Sequence, residues 1–560
     1  MSEKVYTDYF YNSDDFDKNH GMGYKELHIP EGVEAQPLIV PPVLEPDKQE
    51  NNDVWYTIES QEGEFQFLPG KKTHTWGYNF PVLGKTMVLT KGQHVHVTLK
   101  NSLPELTTYH WHGMEVSGPG NDGACHSPVY PGEEKQIDFV VNQPAALTWL
   151  HAHPCPSTAS QVWMGLAMGV VVTDANEAQL PIPKTYGKDE FPIILQDRIF
   201  HEDNQFDYKA DYNAMGIFGD TPIINGVVRP YVDVTTQKVR LIFLGGSNRR
   251  EWRLHFSDDL VMTQIGGDDS FLEHPVKMTK VLIGPGERQQ VVVDFSNYKE
   301  GDVVNLYTDD FKLVEFRIHN YEKDDSVIPD TLFKPYDPVV NPNSPVPHVT
   351  MDNHNMINGK KFAMQRIDLK QDLMNAEYWD VTNTNDKVNG MLHPFHIHGA
   401  HFLVVSRNGE EPYPNEKGVY KDTVEVAPQE TVRLKVYFQN TGVFMYHCHI
   451  IEHEDAGMMA QIQIVDPKDP DKTYELMDME TLTKAFSEEK GIPMDEVYCP
   501  GMDTEGMAVK GVDHSLDALS GASHSHHEEH HEETPVSHEE TPVSHEEPSH
   551  EDATSGASHH

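Results

Sequence analysis

The most constraining segment of the chain reads HCHIIEHEDAGM and begins at His447. In a β-strand, alternate side chains point to opposite faces, so His447 and His449 would point one way and Cys448 the other. One tripeptide could therefore ligate two different metal centres. The thiolate, the imidazole of His453 and the thioether of Met458 are three of the four ligands of a blue-copper electron-transfer site, which also needs a second histidine.

The missing histidine lies upstream, together with further paired histidines. The segment MLHPFHIHGAHF supplies His393 for the thiolate site, and it places His396 and His398 on the opposite strand face. The same spacing of two residues occurs in YHWHG and in WLHAHP. Eight histidines remain outside the thiolate site, and they suit three further copper ions: His110, His112, His151, His153, His396, His398, His447 and His449.

One more histidine pair has the same spacing but a different context. His94 and His96 lie in GQHVHVTL, with no glycine, tryptophan or cysteine pattern like that of the other motifs. About one accidental pair of this spacing is expected from the number of histidines in the chain. We interpret these two as ordinary strand residues.

The four histidine motifs, in this order and near the two ends of the chain, resemble those of three-domain multicopper oxidases, the family of laccases, bilirubin oxidases, spore-coat laccases and bacterial cuprous oxidases. The resemblance covers roughly residues 50–470. It includes FPIILQDRIF, FGDTPIINGVVRPY and FLEHPVKMTKVLIGPGERQQVVVDF, which look like the second domain of the bacterial branch. The resemblance implies four copper ions: type 1 on His393, Cys448, His453 and Met458, type 2 on His110 and His396, and the type 3 pair on His112, His151 and His449 and on His153, His398 and His447.

The expected fold is all-β. Runs rich in Val, Ile, Thr and aromatic residues, broken by Gly, Pro, Asn and Asp, predict the strands of sandwich domains. A chain of 560 residues is also too long for one core. With the resemblance, we expect three cupredoxin-like Greek-key β-sandwiches at 50–180, 186–335 and 345–470, an N-terminal extension at 1–49 and a C-terminal extension at 471–510. Within the latter, a helix is predicted at 479–491, with Gly491 as its stop signal.

The resemblance implies a copper-dependent oxidoreductase that uses O2 as its electron acceptor. Single electrons from a reductant would pass from the type 1 copper through Cys448 and its neighbouring histidines to the trinuclear cluster, where O2 becomes two waters. That reduction consumes four protons. The resemblance implies that Glu454 and Asp122 serve as proton relay and hydrogen-bond partner. The alternative for each is a solvated surface carboxylate.

The positions of the methionines indicate which reductant the protein is expected to oxidise. Met458 as axial ligand implies a moderate reduction potential; Met459 is the alternative, and the spacing from His453 favours Met458. Cuprous oxidases of the family carry a methionine-rich insertion, which this chain lacks. We therefore expect a laccase-like oxidase of phenols and aromatic amines, with a metallo-oxidase acting on Cu(I), Fe(II) or Mn(II) as the alternative. The methionines considered as Cu(I) ligands are spread along the chain and are expected to fill core gaps: Met356, Met364, Met374 and Met391.

A third class is a non-enzymatic scaffold, because some members of the family have lost their ligands and act as scaffolds or division proteins. The complete ligand set argues against it.

The charge of the chain indicates which partners it can bind. The formal net charge of −46 disfavours nucleic acid and anionic membranes and favours cationic substrates and metal ions. Residues 511–560 contain twelve acidic residues, eleven histidines and no Lys or Arg. This tail is expected to be disordered, and either loose metal binding or improved solubility would explain its composition.

The N-terminal residues are acidic and polar and lack the pattern of a secretory signal, and no run of 18 apolar residues occurs. We expect a cytoplasmic location, with non-classical export or a spore coat as alternatives.

The small number of cysteines, four in the whole chain, fits a reducing compartment. Cys125 and Cys155 could form a disulfide, but an inert pair of small core residues is favoured; Cys499 has no assigned role. His126 and His401 are interpreted as surface or packing residues.

Overall fold

A computed structural model describes residues 4–11, 23–209, 215–387 and 390–497. Within these residues, six β-sheets pair into three sandwiches, each with its own buried apolar core. The all-β prediction is confirmed. The tail predicted at 511–560, the end of the C-terminal extension and Cys499 lie outside the described residues. No helix in the described part of the chain is long and apolar enough to cross a membrane.

The predicted N-terminal extension contributes two short strands, β1 (Val5–Tyr6) and β2 (Gln36–Pro37). Each pairs in parallel with an edge strand of the second sandwich, one on each of its two sheets. The extension therefore covers an open edge of both sheets, and edges are where unpaired backbone groups would otherwise be left.

The first sandwich contains the strands β3 (Lys48–Glu50), β4 (Asp53–Phe65), β5 (Thr73–Tyr78), β6 (Leu83–Gly84), β7 (Met87–Thr90), β8 (His94–Asn101), β9 (His110–His112), β10 (Glu134–Val140), β11 (Ala146–His151) and β12 (Ala167–Thr173). One sheet has the order β10-β8-β4-β5-β6, with β3 added on β4, and the other has the order β7-β12-β11-β9. Along β8, buried Val95, Val97 and Leu99 alternate with polar residues of the outer face. This period of two is the pattern of a strand with one side on a core.

The second sandwich contains β13 (Glu190–Arg198), β14 (Thr221–Ile224), β15 (Pro230–Val234), β16 (Lys238–Gly245), β17 (Trp252–Phe256), β18 (Met262–Gly266), β19 (Phe271–Met278), β20 (Lys280–Ile283), β21 (Arg288–Asp294), β22 (Val303–Thr308) and β23 (Phe311–Ile318). Its sheets have the orders β1-β19-β18-β21-β16-β13-β14 and β2-β15-β23-β22-β17-β20. Phe243, Trp252 and Phe316 are fully buried between them.

The third sandwich contains β24 (His348–Met351), β25 (Leu369–Asp372), β26 (Glu377–Asn383), β27 (His393–Ile397), β28 (Ala400–Arg407), β29 (Thr423–Val426), β30 (Thr431–Phe438), β31 (Gly442–Cys448) and β32 (Met459–Val465). Its sheets have the orders β24-β26-β30-β28 and β25-β32-β31-β27-β29. Trp379, Phe395 and Leu434 lie in its core, together with Cys448 and Met458.

Four α-helices occur among the described residues: α1 (Thr158–Met164), α2 (Ala175–Gln179), α3 (Ile451–Asp455) and α4 (Met479–Lys490). Short 3-10 turns span Ser257–Asp259, Pro414–Glu416 and Met494–Glu496. The helix predicted at 479–491 is confirmed as α4. Asp478 caps its first turn by accepting from the Thr481 amide, and Gly491 ends it at φ +64°.

Cys125 and Cys155 form a disulfide, with Cα atoms 5.4 Å apart. The prediction of an inert pair of small core residues was wrong. The physical reason is that the two loops carrying these cysteines converge. Cys125 lies three residues beyond Asp122, Cys155 lies two residues beyond His153, and both loops meet at the same buried site. The pairing of two loops from one sandwich is a tertiary property that the spacing in the sequence did not reveal.

Candidate metal centres

The four paired-histidine motifs lie on or directly after four strands of the first and third sandwiches. In the first, β9 pairs with β11 so that His110 lies opposite His151. In the third, β27 pairs with β31 so that His396 lies opposite His447. All the paired histidines are buried and converge on one site: His110, His112, His151, His153, His396, His398, His447 and His449. The convergence predicted from the sequence is therefore observed.

Three of these histidines face one another nitrogen to nitrogen. His398 Nδ1 donates to Asp122 Oδ2 at 2.9 Å, and His447 Nδ1 donates to the carbonyl oxygen of Cys448 at 2.9 Å. An imidazole that carries its single proton on Nδ1 presents a lone pair at Nε2. The Nε2 atoms of His398 and His447 lie 3.0 Å apart, and His153 Nε2 lies 3.3 Å from the same His447 atom. Lone pairs at this separation repel unless a cation lies between them.

The protonation of these rings supports metal binding. Burial, followed by the neighbouring His110, lowers the pKa of His398 well below its usual value. Burial, followed by the neighbouring His447, does the same to the pKa of His153. A protonated imidazole cannot ligate a metal, whereas a neutral one is the commonest protein ligand. The site therefore keeps these two imidazoles in the form that binds a cation.

A second group of three histidines lies beside the first: His112, His151 and His449. His112 Nε2 donates to Asp422 Oδ1 at 2.9 Å, which leaves Nδ1 with its lone pair directed at His449 Nε2, 3.2 Å away. His151 Nδ1 donates to the carbonyl oxygen of Ala152 at 2.9 Å. Its Nε2 is buried and has no hydrogen-bond partner among the described residues. This group could hold a second ion.

His110 and His396 complete the cluster. Their Nδ1 atoms donate to the carbonyl oxygens of Asp122 and Asp422, at 3.0 Å and 2.9 Å. Their Nε2 atoms are buried without a hydrogen-bond partner in the described part of the chain. A buried polar atom left unpaired costs about 1–3 kcal/mol, and a metal ion would satisfy both nitrogens at once.

The thiolate site lies on the other face of β31. His393 Nδ1 and His453 Nδ1 lie 3.3 Å and 3.5 Å from Cys448 Sγ. The carboxamide of Asn385 contacts His393 Nε2 at 2.8 Å and fixes that ring. Burial raises the pKa of the Cys448 thiol well above its usual value, so a cation is needed to hold it as a thiolate, as bound metal ions do.

The two adjacent methionines lie in different cores. Met458 belongs to the same buried cluster as Cys448, and the Cys448 amide donates to the Met458 carbonyl oxygen at 3.2 Å. Met459 is the first residue of β32 and packs with Cys125 and Leu482. Of the two, Met458 is therefore the methionine that shares the environment of the thiol.

Asp122 and Glu454 are both buried, with exposed fractions of 2% and 1%. This excludes the alternative of a solvated surface carboxylate. Burial raises the pKa of Asp122 well above its usual value, and its Oδ1 has no hydrogen-bond partner among the described residues. Glu454 Oε2 lies 2.9 Å from His447 Nδ1, but that N–H points at a carbonyl, so the contact is not a well-directed hydrogen bond. Both carboxyl groups therefore have oxygen atoms beside the cluster without a hydrogen-bond partner among the described residues.

Asp422 was not among the predicted site residues, although it contacts two of the histidines. Besides His112, its Oδ1 lies 3.4 Å from His396 Nδ1. Arg288 of the second sandwich donates to it from Nη1 and Nη2 at 2.8 Å and 2.6 Å. Burial raises the pKa of Asp422, but Arg288 and His112 outweigh this and hold it well below its usual value. No motif in the sequence marks this residue; the only signal is a charged residue directly before the short buried strand β29.

Replacing Asp422 with asparagine is expected to weaken copper binding by about 10–100-fold, because outer groups that orient metal ligands contribute on this scale. Copper retained after dialysis against a graded chelator series measures the effect. Asp380→Asn is the matched control, since Asp380 pairs with the half-exposed Arg433 of the same sandwich. Equal copper retention in both variants would contradict the orienting role.

His126 and His401 lie outside the histidine clusters and pack against other side chains, which agrees with their interpretation as packing residues. His126 contacts Gln461 Oε1 and accepts from the Met477 amide. His401 contacts Glu115, and its ring lies 3.9 Å from that of Tyr420.

Comparison with known proteins identifies the family. Two family models described as multicopper oxidase match residues 59–177 and 338–468. A multicopper oxidase from Staphylococcus epidermidis is 38% identical over 442 residues, which cover 79% of this chain and 95% of that protein. The chain belongs to the multicopper oxidase family. The oxidase is thus a copper-dependent oxidoreductase that uses O2 as acceptor.

Solved structures agree with the family and with the cupredoxin-like fold. A multi-copper oxidase from Pediococcus acidilactici has a TM-score of 0.82 and 49% identity, covering 85% of the oxidase and 100% of that chain. A laccase from Pediococcus acidilactici has a TM-score of 0.79 and 48% identity, covering 83% and 100%. A metallo-oxidase from Campylobacter jejuni has a TM-score of 0.69 and 27% identity, covering 79% and 97%.

The family also includes proteins named for other roles. The cell division protein FtsP of Escherichia coli is 31% identical over 458 residues, which cover 78% of the oxidase and 93% of that protein. Membership therefore leaves the reductant to be argued from the residues of this chain.

Proposed function

We propose that the oxidase holds four copper ions at the two sites described above. The assignments are type 1 on His393, Cys448, His453 and Met458, type 2 on His110 and His396, and type 3 on His112, His151 and His449 and on His153, His398 and His447. The observation that carries this proposal is the 3.0 Å separation of the Nε2 atoms of His398 and His447 in a buried site, with each Nδ1 directed at an oxygen atom. Copper bound at these ligands would supply one-electron redox chemistry and the reduction of O2 to water.

The residues of β31 would connect the two sites. The Cys448 side chain faces the type 1 position, whereas the flanking His447 and His449 face the cluster. The shortest covalent route between the sites is therefore one peptide unit on either side of the cysteine. Glu454 Oε2 and Asp122 Oδ1 would hold and pass the protons that O2 reduction consumes, because both lie against the cluster without a full set of partners.

We propose that phenols and aromatic amines are the reductants. Three of the methionines considered as soft Cu(I) ligands lie in different surroundings in the described part of the oxidase. Met364 and Met391 belong to different buried cores, and Met374 is 56% exposed. The similarity to a laccase from Pediococcus acidilactici also supports this reading. The similarity to a metallo-oxidase keeps Cu(I), Fe(II) or Mn(II) as the second candidate.

Oxygen uptake by the fully copper-loaded oxidase separates these candidates. We expect kcat/KM to be higher for 2,6-dimethoxyphenol than for Cu(I) held in a chelate buffer. Cys448→Ser is the control for uncatalysed oxidation of Cu(I) by O2. A higher kcat/KM for Cu(I), after subtraction of that control, would favour the metallo-oxidase.

Met458→Leu is expected to raise the type 1 reduction potential by about 60 mV or more, which is tenfold in a one-electron equilibrium constant. The reason is that loss of the axial thioether removes a donor that stabilises the oxidised copper. Redox titration of the blue absorption measures the change. Met459→Leu is the matched control, because Met459 packs in a different core. Equal potentials in the two variants would contradict axial ligation by Met458.

We also propose domain limits of 50–180, 186–335 and 345–470, which the family matches at 59–177 and 338–468 support.

The cellular location of the oxidase is likewise a proposal. The cytoplasmic prediction is weakened by the Cys125–Cys155 disulfide, because disulfides persist mainly in oxidising compartments. Metal binding by the histidine-rich tail stays a proposal.

A further inference from the structure

A second group of histidines and carboxylates lies on the outer face of the first sandwich. Strand β8 runs between β4 and β10, and the register places Asp53 beside His94 and Asp138 opposite His96. These positions alternate with the buried residues of their strands, so all four side chains lie on the same outer face. Cross-strand neighbours on one face are close enough to interact directly.

The contacts within this group converge on one carboxylate oxygen. His94 Nδ1 lies 3.1 Å from Asp53 Oδ1, and His96 Nε2 lies 2.8 Å from the same oxygen. The two imidazole rings have their centroids 4.2 Å apart. His94 Nε2, on the far side of its ring, lies 3.3 Å from Asp138 Oδ2. Trp55 stacks on His96 at 4.7 Å between ring centroids.

This arrangement fits a metal site. Two ligands bonded at 2.0–2.1 Å in a tetrahedron lie about 3.3–3.4 Å apart. The two nitrogens lie 3.1 Å and 2.8 Å from Asp53 Oδ1, so an ion would enter after the side chains separate by about 0.2–0.6 Å. The contact of His94 Nε2 with Asp138 supplies the second feature of such sites, a carboxylate that accepts from the free N–H of a ligating histidine and fixes its orientation. Half-exposed side chains, 40%, 27% and 40% for His94, His96 and Asp53, leave room for water as the remaining ligand.

We propose that His94 Nδ1, His96 Nε2 and Asp53 Oδ1 form a binding site for a divalent transition-metal ion, with Asp138 as the positioning residue for His94. The sequence alone favours the interpretation of His94 and His96 as ordinary strand residues. The cross-strand carboxylates change that interpretation. This site shares no residue with the two copper sites assigned above.

The donor set selects the ion by class. Two imidazoles and one carboxylate suit Cu(II) and Zn(II), and affinity at such a site follows the order Cu(II) above Zn(II). A formal net charge of −46 attracts divalent cations toward the surface. Cu(II) is therefore the preferred ion, and Zn(II) is the better probe, because it is redox-inert and distinguishable from the resident copper.

Protection of individual histidines from carbethoxylation, read by peptide mass spectrometry, tests the proposal on the full-length, copper-loaded oxidase. A metal buffer fixes free Zn(II), so ions bound elsewhere, including the histidine-rich tail, do not deplete it. At free Zn(II) of about ten times Kd, about nine-tenths of sites are filled, so labelling of His94 and His96 slows about tenfold. His74 is the internal control: it lies on β5 of the same sheet and contacts one carboxylate, Glu62.

Variants separate a metal site from ordinary hydrogen bonds. Asp53→Asn is expected to abolish the protection, and Asp138→Asn to weaken Zn(II) affinity about 10–100-fold. Glu62→Gln, which removes a carboxylate of the same sheet, should leave the protection of His94 and His96 by Zn(II) unchanged. Equal labelling of His94 and His96 with and without Zn(II), equal protection of His74, or full protection in Asp53→Asn would each overturn the proposal. Oxygen uptake by each variant reports that the fold is intact.

Discussion

The Cys448→Ser variant is expected to lose the blue absorption of the oxidase and more than about a hundredfold of its rate of oxygen uptake, because loss of a direct ligand should exceed the 10–100-fold effect of outer groups. The absorption depends on the thiolate, which serine does not replace. The same residue starts the proposed peptide connection to His447 and His449, so electron transfer to the proposed cluster would be lost together with the type 1 copper. The copper content per chain should fall from the proposed four ions to three.

The double variant Cys125→Ala/Cys155→Ala is the matched control. It removes the disulfide without touching Cys448, and it should keep the blue absorption. The contrast tests which cysteine is the ligand. A Cys448→Ser protein that remained blue, or that still turned over phenols at the parent rate, would refute both the type 1 assignment and the proposed electron path.

Glu454→Gln is expected to lower kcat by about 10²-fold or more while leaving the proposed four coppers and the blue absorption in place, since positioned acid–base groups contribute about 10²–10⁴-fold. The glutamine side chain has the same shape but cannot take up and release a proton in the same way. Glu454 lies 2.9 Å from His447 Nδ1 and 3.5 Å from His153 Nε2, so protons held there are adjacent to the cluster. Oxygen uptake at saturating phenol and the solvent isotope effect on kcat measure the change.

Glu452→Gln is the comparison for this variant. Glu452 lies on the same short helix, α3, and is equally buried, but its Oε1 accepts a hydrogen bond from Asn248 at 2.8 Å. Its substitution should leave kcat near that of the parent. If Glu454→Gln kept full kcat, or if both variants lost the same amount, the assignment of Glu454 as proton relay would be wrong.

The second sandwich supplies none of the proposed copper ligands, yet it takes part in the site. Arg288, at the start of β21, bonds Asp422 of the third sandwich, which in turn accepts from His112 of the first. Arg288 also donates to Asp269 at 2.9 Å. One buried guanidinium thereby links the three sandwiches at the cluster. The Asp422→Asn variant tests this link through copper retention.

Much of the candidate site could be predicted from the sequence because its signals are local. The spacing of two residues in each histidine pair, and the single cysteine between His447 and His449, determine which side chains share a strand face. The all-β fold and the helix at 479–491 follow from equally local patterns, namely β-branched runs and a glycine stop. These features are confirmed in the structure.

Other features depended on contacts between distant parts of the chain. The Cys125–Cys155 disulfide required two loops to meet, and the role of Asp422 required a second-sandwich arginine beside it. The interpretation of His94 and His96 also changed only when β4 and β10 supplied Asp53 and Asp138 as neighbours. None of these partners is marked by a motif around the residue it contacts.

The local pattern of residues therefore predicts the types of ligand and the strand faces that carry them. The tertiary structure decided which imidazole nitrogen faces the metal position, because the other nitrogen is occupied by a carboxylate or carbonyl from elsewhere in the fold. Strand periodicity is a property of adjacent residues. Register between strands and packing between sandwiches are long-range, and they set the hydrogen bonds that orient each ring.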